Sequence, residues 1–165
     1  MKTLLIMRHA KSSWDDNGVA DHERPLTARG ERDAPRMGKL LRREGVVPQA
    51  IVASDAVRAQ ATARAVAEAC GFEGEVEFSS ALYGAGPETF REVLNKLPEQ
   101  VESVLVVGHN PGSEELLQEL TGEDEHMPTA AIAQVELDVA QWSEWGEATG
   151  GRLVAVWRPK EVKPD

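Results

Sequence analysis

Arginine and histidine side chains recur where apolar segments of the sequence end. Arg8 and His9 follow the first apolar run, Arg58 stands near the start of the helical pattern after the second, and His109 follows the most apolar run. Arginine presents a planar fork of donors that matches phosphate oxygens. A neutral histidine is a good nucleophile toward phosphorus, and a second, protonated histidine can stabilise a phosphoryl group in transfer. These four residues therefore predict a site for phosphoryl chemistry that needs no metal.

Each of these residues also has an ordinary explanation when it is taken alone. Arg8 and His9 could lie in a surface loop, Arg58 could be a solvated helix residue, and His109 could be a structural histidine. Their shared placement after three predicted strands favours a common site instead. Ligands of open α/β sheets bind beyond the carboxyl ends of the strands, so we expect the four side chains to converge there.

The elements that must position these residues alternate between strand and helix patterns. Short apolar or alternating runs predict strands at residues 3–7, 50–53, 76–78, 104–107, 132–139 and 153–157. Helical spacing and capping residues predict helices at residues 27–43, 57–69, 88–97 and 114–120. This order predicts a three-layer α/β/α sandwich with a mostly parallel central sheet. We expect one domain over residues 1–158 and a loose tail over residues 159–165.

The overall charge limits the possible partners. The 165 residues include 18 Lys and Arg against 28 Asp and Glu, a net charge of −10. Such a surface predicts binding to neither nucleic acid nor a membrane, because both need a basic face. The single cysteine suits a reducing compartment, and the N-terminal apolar run stops at Arg8, too early for a signal peptide or a membrane span. We therefore expect a cytoplasmic location.

Motifs of other catalytic classes are missing from the sequence. The chain has no Gly-rich loop ending in Gly-Lys-Ser/Thr, no Gly-x-Ser-x-Gly elbow and no His-Glu-x-x-His pair. The acidic residues between Glu114 and Glu125 show no spacing with histidine that is typical of a metal site. We therefore expect no metal and no cofactor.

Three motifs together resemble those of the histidine phosphatase superfamily, and within it the SixA-type phosphohistidine phosphatases. The motifs are Met-Arg-His-Ala-Lys-Ser at residues 7–12, Glu-Arg-Pro-Leu-Thr at residues 23–27 and Gly-His-Asn-Pro-Gly at residues 108–112. The resemblance extends from residue 2 to about residue 139. It implies a phosphoglycerate mutase-like fold and a cytoplasmic enzyme of signal transduction.

The resemblance also implies a role for each residue of the site. His9 would be the nucleophile and would form a phosphohistidine intermediate that water hydrolyses. Arg8, Arg58 and His109 would bind the phosphoryl group, and Arg24 would add a phosphate or substrate contact. The implied substrate is a phosphorylated histidine on a protein of the histidine phosphotransfer type. Two alternatives stay open: a phosphatase of a small phosphate ester, and a non-catalytic module that binds phosphate.

The sequence departs from the superfamily pattern at two points. Ala10 stands where glycine is common, and its methyl group is compatible with the turn only if the backbone keeps a negative φ. Residues 81–84 contain no carboxylate, although ester-cleaving branches carry a proton donor there. We therefore expect a pocket without a carboxylate, and a preference for N–P bonds and aryl esters over alkyl phosphates.

Overall fold

A computed structural model describes residues 1–14 and 18–163 of the chain. The strands are β1 (Lys2–Arg8), β2 (Ala50–Ser54), β3 (Glu77–Ser79), β4 (Ser103–Gly108), β5 (Ile132–Leu137) and β6 (Gly151–Trp157). The α-helices are α1 (Ala28–Arg43), α2 (Val57–Cys70), α3 (Pro87–Leu94) and α4 (Gly112–Thr121). The strands form one sheet in the order β3-β2-β4-β1-β5-β6, in which only β5 runs against the other strands. The prediction of a mostly parallel sheet is confirmed.

Helices cover both faces of this sheet. On β1, Leu5 and Met7 pack into the core under α1 and α2, whereas Leu4 and Ile6 pack into the core under α3 and α4. All four side chains are fully buried, which explains why this strand reads as a continuous apolar run rather than an alternating one. Because β1, β2 and β4 run parallel to one another, their carboxyl ends lie together at one edge of the sheet.

Two local features fix the loop after β1 against α1. The Thr27 side chain caps α1 by accepting a hydrogen bond from Gly30 N at 3.1 Å, as the sequence predicted. A Cβ atom on Gly30 would collide with the carbonyl oxygen of Lys11, so glycine allows the helix to lie directly on that loop. The backbone N–H of Thr27 also donates to this Lys11 oxygen, at 2.9 Å. The segment that follows Arg8 and His9 is therefore held in place.

The segment after β6 packs on the domain over the residues that the structure describes. Pro159–Glu161 form a short 3-10 helix. Pro159 and Val162 are buried, and Val162 belongs to the core under α1 and α2. The sequence predicted a loose tail here because it contains prolines and mixed charges, but these two apolar side chains attach residues 159–162 to the core. Residues 164 and 165 lie outside the described part. No helix in the described ranges is long and apolar enough to cross a membrane.

Candidate active site

A cavity of about 400 Å³ opens at the edge where β1, β2 and β4 end. Its lining includes all five predicted site residues: Arg8, His9, Arg24, Arg58 and His109. Arg8 ends β1, Arg58 lies in the first turn of α2, and His109 follows β4. The structure thus brings together the side chains that the sequence placed at strand ends.

His9 has one ring nitrogen fixed and the other available. Its Nδ1 lies 2.8 Å from the carbonyl oxygen of Ala10. A carbonyl oxygen can only accept, so Nδ1 carries the proton and Nε2 holds the free lone pair of the neutral ring. Burial lowers the pKa of His9 to about 3, and the positive charges of Arg58 and Arg8 add to this effect. His9 is therefore neutral near pH 7, which is the form that a nucleophile needs.

Ala10 is compatible with the turn that carries His9. Within residues 1–14 and 18–163, the non-glycine residue with a positive φ is Ala130, at 66°, so the backbone of Ala10 meets the condition stated above. Its N–H donates to Thr62 Oγ1 at 2.9 Å, and the Thr62 hydroxyl donates to the Arg58 carbonyl at 2.7 Å. The turn after β1 is therefore tied to the start of α2.

His109 lies beside His9 and is oriented by a serine. The two imidazole centroids are 5.1 Å apart, and Nε2 of His109 lies 2.8 Å from Ser54 Oγ at the end of β2. Burial, followed by the charge of Arg58, lowers the pKa of His109 to about 4. The expectation of a positive charge on His109 near neutral pH is thus not met by the side chain as it stands. A phosphate dianion next to the ring would raise this pKa by attraction.

Buried polar atoms without a partner are concentrated around the cavity. Among the described residues, these atoms are Arg8 Nε, Arg58 Nε, His109 Nδ1 and Asn110 Oδ1. All four residues line the cavity. Leaving one such group unpaired costs about 1–3 kcal/mol, so a fold retains several of them where a ligand will pair with them. Two of the four are guanidinium donors, which indicates a ligand rich in acceptor oxygens.

The structure places a carboxylate in the cavity, so the expectation of a pocket without one is wrong. Asp21 accepts hydrogen bonds from Arg24 Nε and Arg58 Nη2, each at 3.0 Å, and from the Tyr83 hydroxyl. Its carbonyl oxygen also accepts from Arg58 Nη1 at 2.6 Å. The sequence argument looked for an acid after the middle strand, in residues 81–84. Asp21 comes instead from the long loop after β1, and residues 81–84 contribute the phenol that binds it.

This carboxylate is ionised. The hydrogen bond from Tyr83, followed by those from Arg24 and Arg58, holds the pKa of Asp21 well below its usual range. Asp21 can therefore accept hydrogen bonds near neutral pH but has no proton to donate. Its charge also acts on His109, whose pKa it raises slightly against the larger effects of burial and Arg58.

Arg24 is held at the mouth of the cavity. Its guanidinium donates to Ser12 Oγ at 2.7 Å and to the Ser13 carbonyl at 3.2 Å. The Trp14 indole stacks on it with 3.5 Å between the guanidinium carbon and the ring centroid, and Trp14 is 70% exposed. Sequence reasoning missed Asp21 and Trp14. The one signal for Asp21 was its position three residues before Arg24, just ahead of the motif at residues 23–27.

The chain is similar to known proteins in both sequence and fold. The family model of the histidine phosphatase superfamily, branch 1, matches residues 4–83. An uncharacterized chloroplastic protein of Arabidopsis thaliana is 33% identical over 152 residues, which cover 87% of this chain and 70% of the relative. An uncharacterized protein of Mycobacterium tuberculosis is 36% identical over 149 residues, which cover 84% of this chain and 90% of the relative. The structure of the protein histidine phosphatase SixA with tungstate superposes with a TM-score of 0.80 at 28% identity, covering 98% of this chain and 99% of that one.

Proposed function

Because the chain belongs to the histidine phosphatase superfamily, we propose that it hydrolyses phosphohistidine on a protein through a phosphohistidine intermediate at His9. The observation that carries the proposal is the orientation of His9, whose Nδ1 donates to the Ala10 carbonyl at 2.8 Å. Nε2 is left with its lone pair inside a cavity lined by arginine. A module that only binds phosphate has no need for a nucleophile prepared in this way.

The reaction has two steps. The free ring nitrogen of the substrate phosphohistidine takes a proton from solvent. His9 Nε2 then attacks phosphorus, and the N–P bond of the substrate breaks with its electron pair on the departing nitrogen, so that a neutral imidazole leaves. Water then attacks the phosphoryl group on His9, the second N–P bond breaks, and its electron pair returns to Nε2 as phosphate leaves. Arg8, Arg58 and Arg24 bind the phosphoryl oxygens, and His109 gains positive character as the dianion enters.

The state of Asp21 supports a substrate with an easy leaving group. An alkoxide needs a proton donor, and a positioned general acid contributes about 10²–10⁴ in rate. The hydrogen bond from Tyr83, followed by those from Arg24 and Arg58, keeps Asp21 ionised, so it does not serve as that donor. A phosphohistidine ring can instead take a proton from solvent on its second nitrogen, since protonated imidazole has a pKa of about 6.5, and it then leaves as neutral imidazole. We inferred a preference for N–P bonds above from a missing carboxylate. The structure gives this preference a different basis, which is the ionised state of Asp21.

Asp21 also favours the second candidate, a phosphatase of a small phosphate ester. A phosphate dianion would compete for the N–H groups of Arg24 and Arg58 that now bind this carboxylate. Losing these partners next to a second anion would raise the pKa of Asp21, and a protonated Asp21 could then protonate an alkoxide. The two candidate functions therefore differ in the protonation state of Asp21 during turnover.

A substrate panel at one pH tests the proposal. We expect kcat/KM to be highest for a histidine-phosphorylated phosphotransfer domain, lower for an activated aryl phosphate and lowest for a sugar phosphate. We expect chelator to leave these values unchanged, because guanidinium groups supply the positive charge. Equal values for the protein and the sugar phosphate would favour the second candidate, and no turnover of any substrate would leave a phosphate-binding module.

A further inference from the structure

A second cavity, of about 530 Å³, lies beside the first. It is formed by α1, by the residues before β5 and by the segment after β6. Thr129 lines both cavities, and Arg29 Nη2 donates to Thr129 Oγ1 at 3.3 Å. A protein that inserts a phosphorylated side chain into the first cavity would therefore lie over the second.

This second cavity is basic, although the chain as a whole carries a charge of −10. Of its 11 lining residues, five are Arg or Lys and two are Asp or Glu. We call the basic set the basic groove; its members are Arg29, Arg32, Arg36, Arg158 and Lys160. Only 18 such residues occur in the 165 of the chain, so the groove holds a concentration of positive charge on an acidic body.

Part of this charge is not neutralised by the protein itself. Arg29 and Arg36 share one carboxylate, Asp33, at 3.7 and 3.8 Å. Arg32 and Lys160 are exposed and have neither an ion pair nor a hydrogen bond to a side chain in the described ranges. The groove thus offers charged groups that an acidic partner can reach.

A surface of the opposite charge lies on the other face of the sheet, where α4 packs. There, around α4, a third cavity is lined by four carboxylate residues and by no Arg or Lys among the described residues; we call these residues the acidic face, and they are Glu114, Glu115, Glu119 and Asp124. Glu114 accepts a hydrogen bond from Asn110, which lines the active-site cavity. Glu114 also lies 3.0 Å from His126, which lines the second cavity, so the basic and acidic surfaces border each other beside the phosphate site.

We propose that the basic groove binds an acidic surface of the phosphorylated protein while its phosphohistidine occupies the cavity of His9. The inference rests on the proposed function and adds the chemistry of the partner. Opposite charges on these two neighbouring surfaces favour a single docking orientation, with the acidic surface of the partner over α1 and away from α4. Such complementarity acts mainly on the rate of encounter and on the choice of partner.

The test reverses the two exposed charges in one variant, Arg32→Glu with Lys160→Glu. Neither side chain has a partner within the described residues, so folding should be unaffected. The matched control is Arg42→Glu with Lys96→Glu, which changes the net charge equally at exposed positions that line no cavity described above. The substrates are a histidine-phosphorylated phosphotransfer domain of negative net charge, another of positive net charge, and an aryl phosphate.

For the groove variant we expect kcat/KM toward the negative phosphoprotein to fall about tenfold at low salt, with less loss at high salt. The turnover of aryl phosphate by the groove variant should be nearly unchanged. The control should keep its turnover of both aryl phosphate and the negative phosphoprotein. Equal losses in both variants, no loss in the groove variant, or a wild-type preference for the positive phosphoprotein would overturn the inference alone. If the wild type hydrolysed neither phosphoprotein, the proposed function would fail, and the inference with it.

Discussion

Histidines differ between the floor of the active-site cavity, by which we mean Arg8, His9, Arg58 and His109, and the surroundings of that floor. On the floor, His9 and His109 are 7% and 8% exposed and lie close to arginines. Outside the floor, His22 lies 2.8 Å from Asp55 and His126 lies 3.0 Å from Glu114. Burial lowers the pKa of both floor histidines, whereas the Asp55 carboxylate raises the pKa of His22.

The difference shows why residue type alone does not identify a nucleophile. A carboxylate beside an imidazole stabilises its protonated form, which has no lone pair for attack on phosphorus. Burial next to guanidinium groups does the reverse and keeps the ring neutral. The floor can carry such histidines because the same arginines that lower their pKa also attract the phosphate dianion.

The largest effect that would sharpen this comparison comes from His9→Asn. Loss of the nucleophile removes the intermediate, so we expect turnover of aryl phosphate to fall by about 10⁴-fold or more. Phosphorylated substrate should leave an acid-labile, alkali-stable label on the wild type and none on the variant. His126→Asn is the control outside the floor and should keep wild-type turnover. Wild-type labelling of His9→Asn would refute the assigned role.

A smaller loss is expected for His109→Ala. This change removes one group that stabilises the transferring phosphoryl but keeps the nucleophile, so we expect kcat to fall by about 10²–10³-fold. The phosphohistidine label should still form on His9, only more slowly. Rapid-quench measurement of the label separates the two histidines. Complete loss of label in this variant would mean that His109, not His9, accepts the phosphoryl group.

The sequence predicted the floor well because chain order determines it. Arg8, His9 and His109 follow parallel strands, and Arg58 follows another at the start of α2, so the topology alone brings them to one edge of the sheet. Apolar runs and capping residues, among them Thr27 of α1, located the helices and strands to within a few residues.

The surroundings of the floor were harder to predict because tertiary contacts determine them. Asp21 begins a three-residue 3-10 helix, too short to show a periodic pattern. Its carboxylate is placed by contacts with Arg24, Arg58 and Tyr83, the last of which is 62 residues away in sequence. No local pattern reports such contacts. The same holds for Val162, whose burial in the core depends on how the short 3-10 helix after β6 packs beside α1.

An intermediate effect is expected from Asp21→Asn. The substitution removes a negative charge from between Arg24 and Arg58, so we expect inorganic phosphate to inhibit turnover about tenfold more tightly, since one charge near a partly buried site is worth roughly one pKa unit. The control is Asp55→Asn, which removes a carboxylate that does not line the cavity. Inhibition by phosphate that weakens in Asp21→Asn would show that Asp21 mainly orients the arginines.

The smallest effects lie in stability against pH, and their signs test the comparison directly. The pKa of His109 in the folded protein is about 4, below the value of about 6.5 expected in the unfolded chain. The unfolded state therefore binds the extra proton first, and stability falls as pH drops below 6.5, by at most about 1.4 kcal/mol per pH unit for one group. His22 has a raised pKa, so its contribution is fully present below pH 6.5 and is lost as pH rises through its folded value; at 37% side-chain exposure it is small.

Urea unfolding of the wild type, His109→Asn and His22→Asn at pH 5, 6.5 and 9 measures the contributions of both histidines. Relative to the wild type, His109→Asn should gain stability between pH 6.5 and pH 5, and His22→Asn should cost stability at pH 5 but not at pH 9. Parallel curves for all three proteins would contradict the contrast between the floor and its surroundings.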